Sequence, residues 1–245
     1  MIDRKEIKAK SKELLLREKH SPNIFLVTLV CVVIVAILGI IRDNLSDYIL
    51  IYDTIFDGTG FSSISSIIRL ITIRGVLFYI AAVLVVEMIL LGFTIYTLKI
   101  SRGETGSFWT LFEGFEHIVR YIILFILKTI MVSVGTIVFI FPGIILFVMF
   151  SQATFILLDN PETGPVECLA QSARMMKGYK ADFFMLELSL LGWYVLIGVC
   201  SVFFGVFAML IYIWLYPYSY LIFAHYYNEL LAIKDSDEGS DTSNQ

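Results

Sequence analysis

Residues 188–228 read LSLLGWYVLIGVCSVFFGVFAMLIYIWLYPYSYLIFAHYYN, 41 residues without a single Asp, Glu, Lys or Arg. A helix crosses the hydrocarbon core of a bilayer in about 20 mostly apolar residues. The run is therefore long enough for two crossings joined by a tight turn near Gly205. A second charge-free run, Thr129 to Leu158, is interrupted by Pro142-Gly143, a dipeptide at which the chain can reverse. Working outward by the same rule gives six spans, at about 24–41, 76–98, 119–140, 143–158, 183–204 and 206–227.

Composition supports this reading. Of the 245 residues, 58% are hydrophobic and only 16% are charged, against roughly 25% charged in an ordinary soluble domain. So few polar groups cannot cover the surface in water, and the apolar excess must face lipid. The expected fold is all-α: a polytopic membrane helical bundle with six transmembrane helices as three hairpins, forming a single transmembrane domain over residues 1–233. A net charge of −4 excludes a basic nucleic-acid face. Cys31, Cys168 and Cys200 form neither a C-x-x-C pair nor a disulfide framework.

Lys and Arg beside the spans set orientation. Seven precede the first span: Arg4, Lys5, Lys8, Lys10, Lys12, Arg17 and Lys19. Lys99 and Arg102 follow the second span, and Arg174, Lys177 and Lys180 follow the fourth. Arg42, Arg69 and Arg74 oppose this pattern, in a loop that also carries Asp43, Asp47, Asp53 and Asp57. The expectation is a multi-pass plasma-membrane protein with both termini cytoplasmic. The first span is followed by LGIIRDN, without a small-x-small cleavage site, and reads as an uncleaved anchor.

Three segments carry apolar stripes at helical spacing and are expected to lie at the cytoplasmic interface. In 106–119 the stripe is Phe108, Leu111, Phe112, Phe115 and Ile118, opposite Glu113 and Glu116. In 165–180 it is Val166, Leu169, Ala173 and Met176, opposite Glu167, Gln171 and Arg174. In 3–19, Ile7, Leu14 and Leu15 stand against many charges. The segment 234–245, KDSDEGSDTSNQ, is acidic with no apolar residue and is expected to be disordered.

Charges inside spans are the sharpest signal for a site. Glu87 is central in the second span, and Lys128 lies within about two residues of the middle of the third, roughly 3 Å in depth. A charge at the bilayer centre costs on the order of 3 kcal/mol or more unless paired or wetted. The two are expected to pair, as part of an ion path or polar substrate site, or as an internal bridge fixing helix register. Glu187 lies nearer the cytoplasmic end of the fifth span, within reach of the interface or Lys180. Trp193 and Tyr194 sit deeper than an aromatic belt requires and are candidates to line a cavity. Arg174 and Lys177 are candidates for a cytoplasmic interface.

Enzymatic signatures are missing. There is no H-E-x-x-H, G-x-S-x-G, phosphate loop or dinucleotide fingerprint. His20, His117 and His225 have no ligand cluster nearby in sequence. No enzyme activity, cofactor or metal is expected. The expected partners are membrane lipids and a membrane or cytoplasmic protein, with no nucleic acid.

A series of short motifs from Phe108 to Tyr227 carries a family resemblance. It runs Leu111-Phe-Glu-Gly-Phe115, Phe141-Pro-Gly-Ile144, Leu158-Asp-Asn-Pro161, Ser172 with Met175-Met-Lys-Gly178, and Leu186-Glu-Leu-Ser-Leu-Leu-Gly-Trp193. Pro217-Tyr218 and Ala224-His-Tyr-Tyr227 close it, and Lys5-Glu-Ile-Lys-Ala-Lys10 and Lys99 to Glu104 (KISRGE) look similar too. In this order the motifs resemble the bacterial integral membrane family catalogued as domain of unknown function 975. That family usually shows Phe-Ile where this chain has Leu190-Leu191. The resemblance implies a bacterial plasma-membrane protein of several helices and carries no activity with it.

Two functions are therefore expected. The first is a scaffold or accessory module in envelope maintenance or export. The alternative is a transporter or lipid-handling protein that uses a midplane Glu87–Lys128 pair.

Overall fold

The computed structural model describes residues 2–16, 24–34, 37, 62–204 and 208–242, and every regular element among them is a helix. Asp3 opens the first: its Oδ1 accepts the backbone N–H of Lys5 at 2.9 Å, satisfying a donor the helix leaves free. The elements are α1 (Arg4–Leu16), α2 (Ile24–Ile34), α3 (Ser62–Ser101), α4 (Thr110–Glu113), α5 (Ile118–Val138), α6 (Ile140–Met149), α7 (Ala153–Asp159), α8 (Pro165–Met175), α9 (Lys180–Phe204) and α10 (Ala208–Thr242). A 3₁₀ turn, Gly114–His117, joins α4 to α5.

Four stretches are long and apolar enough to cross a membrane: Ile80–Ser101, Thr110–Val138, Ile140–Asp159 and Lys180–Phe203. Their outward side chains are large and apolar, with Ile137, Phe141 and Val202 at least 80% exposed. Such a surface is stable in hydrocarbon and aggregates in water. Of the first expected span, α2 and Ile37 are described; the rest, and the turn near Gly205, lie outside the described residues.

Two buried clusters hold the bundle together. One joins Ile7 of α1, Leu91 of α3, Leu124 of α5, Leu157 of α7, Leu186 of α9 and Tyr226 of α10. The other joins Leu15, Val27, Phe93 and Ile100 to Tyr216 and Leu221. α10 lies against α1, α3 and α9. It runs antiparallel to α9: Phe183 meets Phe223 and Tyr226, while Tyr194 meets Tyr212 and bonds Ser219 at 2.9 Å.

Several expectations are corrected. The break between the third and fourth spans falls at Phe139, whose backbone is extended, and not at Pro142-Gly143. Pro142 sits instead in the first turn of α6, where no N–H is needed. Gly143 serves close packing: a methyl there would overlap Thr136 of α5. The fourth span is itself interrupted between Met149 and Ala153.

The stripe expected over 106–119 is no free interfacial helix. α4 and the 3₁₀ turn pack on α3, with Leu111 buried and Phe108, Trp109, Phe112 and Phe115 turned outward. Leu111 approaches Gly92 so closely that a methyl on Gly92 would overlap its backbone. α8 buries Cys168, Leu169, Ser172 and Met175, with Val166 exposed. α1 likewise buries Ile7, Ser11 and Leu15. Both helices bury these faces against the bundle. Their inward faces include Ser11 and Ser172, which hydropathy does not mark as core. The tail expected to be disordered from Lys234 continues α10 as helix as far as Thr242, propagated from a packed helix whose nucleation is already complete.

Candidate functional site

Residues spaced for one helix face converge on a cavity of about 280 Å³. α3 contributes Glu87, Leu90 and Thr94, α5 contributes Tyr121 and Lys128, and α9 contributes Phe183 and Glu187. Tyr220 and Phe223 come from α10. Ser151 and Gln152 come from the interruption after α6, and Thr154 and Phe155 from the start of α7. The helix break thus places an amide and a hydroxyl where an unbroken apolar helix would present one more hydrophobic face.

Glu87 and Lys128 share this cavity without forming the direct ion pair expected of them. Glu87 Oε2 instead accepts the Tyr121 hydroxyl at 2.9 Å. Lys128 lies within electrostatic reach of both Glu187 and Glu87, and its Nζ stands 5.8 Å from the centre of the Phe147 ring. The cavity therefore holds three ionisable side chains separated by open space, rather than a closed bridge.

Glu187 points inward to the cavity rather than up to Lys180; it lies seven residues into α9, roughly 10 Å from its start. Trp193, expected to line a cavity, is 48% exposed on the outer surface. Its neighbour Tyr194, about 100° further round the helix, takes the inward place and bonds Ser219. Arg174 is exposed and paired with Glu167 at 2.5 Å, and Lys177 is exposed beyond the end of α8. Neither reaches the cavity.

A second polar feature went unread in the sequence. Asp159, at the end of α7, accepts Arg102 Nη1 and Nη2 at 2.7 and 2.8 Å and the Tyr227 hydroxyl at 2.7 Å. Arg102 Nε also donates to Asn228 Oδ1 at 3.1 Å, and Asn228 Nδ2 donates to Ser101 Oγ at 2.9 Å. Lys99 pairs with Glu113 at 2.6 Å across the same cleft, whose volume is about 530 Å³. This network ties the ends of α3, α4 and α7 to the middle of α10. The Asp159 carboxylate beside Arg102 holds the guanidinium still more firmly in its charged form. Its members belong to separate motifs, KISRGE, LFEGF, LDNP and AHYY, which the fold brings to one end of the bundle.

The α1 end lies close by: Lys8 Nζ donates to Ser189 Oγ at 2.7 Å, and Lys10 pairs with Glu229 at 3.1 Å. Burial lowers the Lys8 amine from its ordinary value, with Arg4 adding repulsion. Among the described residues no group of three His, Cys, Asp or Glu side chains is arranged to hold a metal ion.

With this geometry in place, the comparisons with known proteins are brief. Residues 137–234 match the model of the family described as Protein of unknown function (DUF975), the family whose motifs the sequence resembles. The match runs from the end of α5 through most of α10, and so includes Gln152, Asp159, Glu187 and Tyr227. Neither a curated protein nor a solved structure matches the chain.

Proposed function

We propose that this protein is a multi-pass plasma-membrane protein that takes up a polar or amphipathic small molecule within its bundle, as a transporter or a lipid-handling protein. The observation that carries this reading is the cavity lined by Glu87, Lys128 and Glu187 inside a bundle whose outer surface is apolar. A purely structural bridge would close the two charges on one another and leave no space between them. No catalytic step is assigned to the site. The reading includes six crossings with both termini cytoplasmic. It is supported by the lysine and arginine distribution and by the Lys10–Glu229 pair, which puts the N-terminal helix beside the distal part of α10.

The scaffold reading has one observation of its own. Phe108, Trp109, Phe112 and Phe115 form an outward aromatic ladder, with neighbouring rings about 6 Å apart, beside the ion-paired end of the bundle. Mass spectrometry on protein extracted directly into native nanodiscs separates the two. A specific small molecule or lipid retained by the wild type and lost on Glu187→Gln supports the solute site. A stoichiometric protein partner with no retained molecule overturns it in favour of the scaffold.

A further inference from the structure

The cavity holds two carboxylates, Glu87 and Glu187, and one lysine, Lys128. With all three ionised it carries one uncompensated negative charge, in surroundings where such a charge is costly. Gln152 supplies an independent sign. Its side chain is fully buried and lines the cavity; its amide Nε2 donates to Ser151 Oγ at 2.9 Å, and its Oε1 has no hydrogen-bond partner. A buried acceptor in this state calls for a donor. The remaining wall is largely aromatic, and the Lys128 ammonium already stands over one of its rings, Phe147.

We propose that the cavity binds a primary ammonium group, with Glu187 and Glu87 supplying the charge, Gln152 Oε1 accepting an N–H, and the rings closing around the carbon next to nitrogen. This rests on the reading of the cavity as a solute site and names its ligand class. A quaternary ammonium matches the charge and the rings but has no N–H for Gln152. A hard metal cation wants a cage of oxygens and gains little from phenyl walls. The group can be carried by a free small amine or by the ethanolamine head of an aminophospholipid. Phe147 belongs both to the cavity wall and to the outer surface, so the site borders the lipid.

The test uses the full chain in nanodiscs containing equal phosphatidylethanolamine and phosphatidylcholine, with retained lipid read by native mass spectrometry. A parallel arm measures binding of radiolabelled ethanolamine against choline to protein in phosphatidylcholine discs. One charge-assisted hydrogen bond is worth about a tenfold preference for the primary ammonium. Retention of phosphatidylethanolamine identifies the lipid as source, whereas ethanolamine binding alone identifies a free amine. Glu187→Gln and Gln152→Leu are expected to erase the preference. Equal treatment of primary and quaternary forms in both arms overturns the proposal, and the wild-type comparison decides this even where a variant does not fold. A different compound, retained by the wild type and lost on Glu187→Gln, leaves the solute site standing and removes the ammonium assignment. If nothing retained depends on Glu187 or Lys128, both readings fall.

Discussion

Replacing Asp159 with Asn removes a charge while keeping its shape. In the folded protein this carboxylate accepts two parallel bonds from Arg102 and one from Tyr227, all between 2.7 and 2.8 Å. An asparagine retains one oxygen and turns an N–H₂ toward donors. The ion pair and at least one of the three bonds are therefore lost. Hydrogen bonds to charged groups contribute about 1.5–3 kcal/mol when shielded, and exposed ion pairs only about 0–1 kcal/mol. The two side chains are 17% and 33% exposed, so the loss sits between these limits, at about 2 kcal/mol. For a chain of this length that corresponds to a fall in Tm of about 4–8 °C. A thiol-reactive dye reads it directly, because Cys168 is fully buried and becomes available on unfolding. Tyr227→Phe is expected to cost about 1 kcal/mol, and the double variant less than the sum, because both groups share one acceptor. A melting point for Asp159→Asn within about 1 °C of wild type would refute the idea that this network clamps the helix ends.

Gly92→Ala is expected to destabilise by about 1–3 kcal/mol or more, because the new methyl meets Leu111 backbone rather than a movable side chain; thermal unfolding checks it. Ser172→Ala leaves the Met149 carbonyl unpaired and should cost about 1–3 kcal/mol by the same assay. Trp193→Leu, on the outer surface, should shift stability by no more than about 0.5 kcal/mol. The Cys168 thiol is pushed above its ordinary value by burial, so its thiolate fraction at a given pH is below that of a free thiol. Its alkylation by iodoacetamide in the folded protein should lag a model thiol at pH 8 and gain on it as pH rises; parity between the two at pH 8 contradicts the burial.

The parts of this molecule that were legible from sequence share one property: they are set by residues close together in the chain. The charge-free runs around Thr129–Leu158 and Leu188–Asn228 announce apolar helices, since a continuous apolar run of this length satisfies its own backbone groups in hydrocarbon only as a helix. Glu87, Lys128 and Glu187 stand out because each interrupts such a run. Tyr121 and Gln152 do not, because neutral polar residues are common in apolar segments. Which way a residue faces was also hidden. Trp193 and Tyr194 are equally deep, and only the packing of α9 on α10 decides that Tyr194 turns inward. The Arg102–Asp159–Tyr227 network joins positions 57 and 68 residues from Asp159, separations over which no local pattern acts. The break at Phe139 was misplaced because proline, the usual marker of a turn, is equally at home in a first helical turn.

The interruption between α6 and α7 has a mechanical consequence. Ala153, the residue that an unbroken helix would bond to the Met149 carbonyl, bonds Phe150 instead, and the freed carbonyl accepts Ser172 Oγ from α8 at 2.8 Å. A hydroxyl outside the apolar spans thus latches the bend that presents Ser151 and Gln152 to the cavity. Lifting α8 by one hydrogen-bond length would return that carbonyl to its own chain and favour straightening of the helix, withdrawing both polar groups. α8 is in this sense a latch, holding the Met149 carbonyl through Ser172 while its charged face, Glu167 and Arg174, is turned away from the bundle.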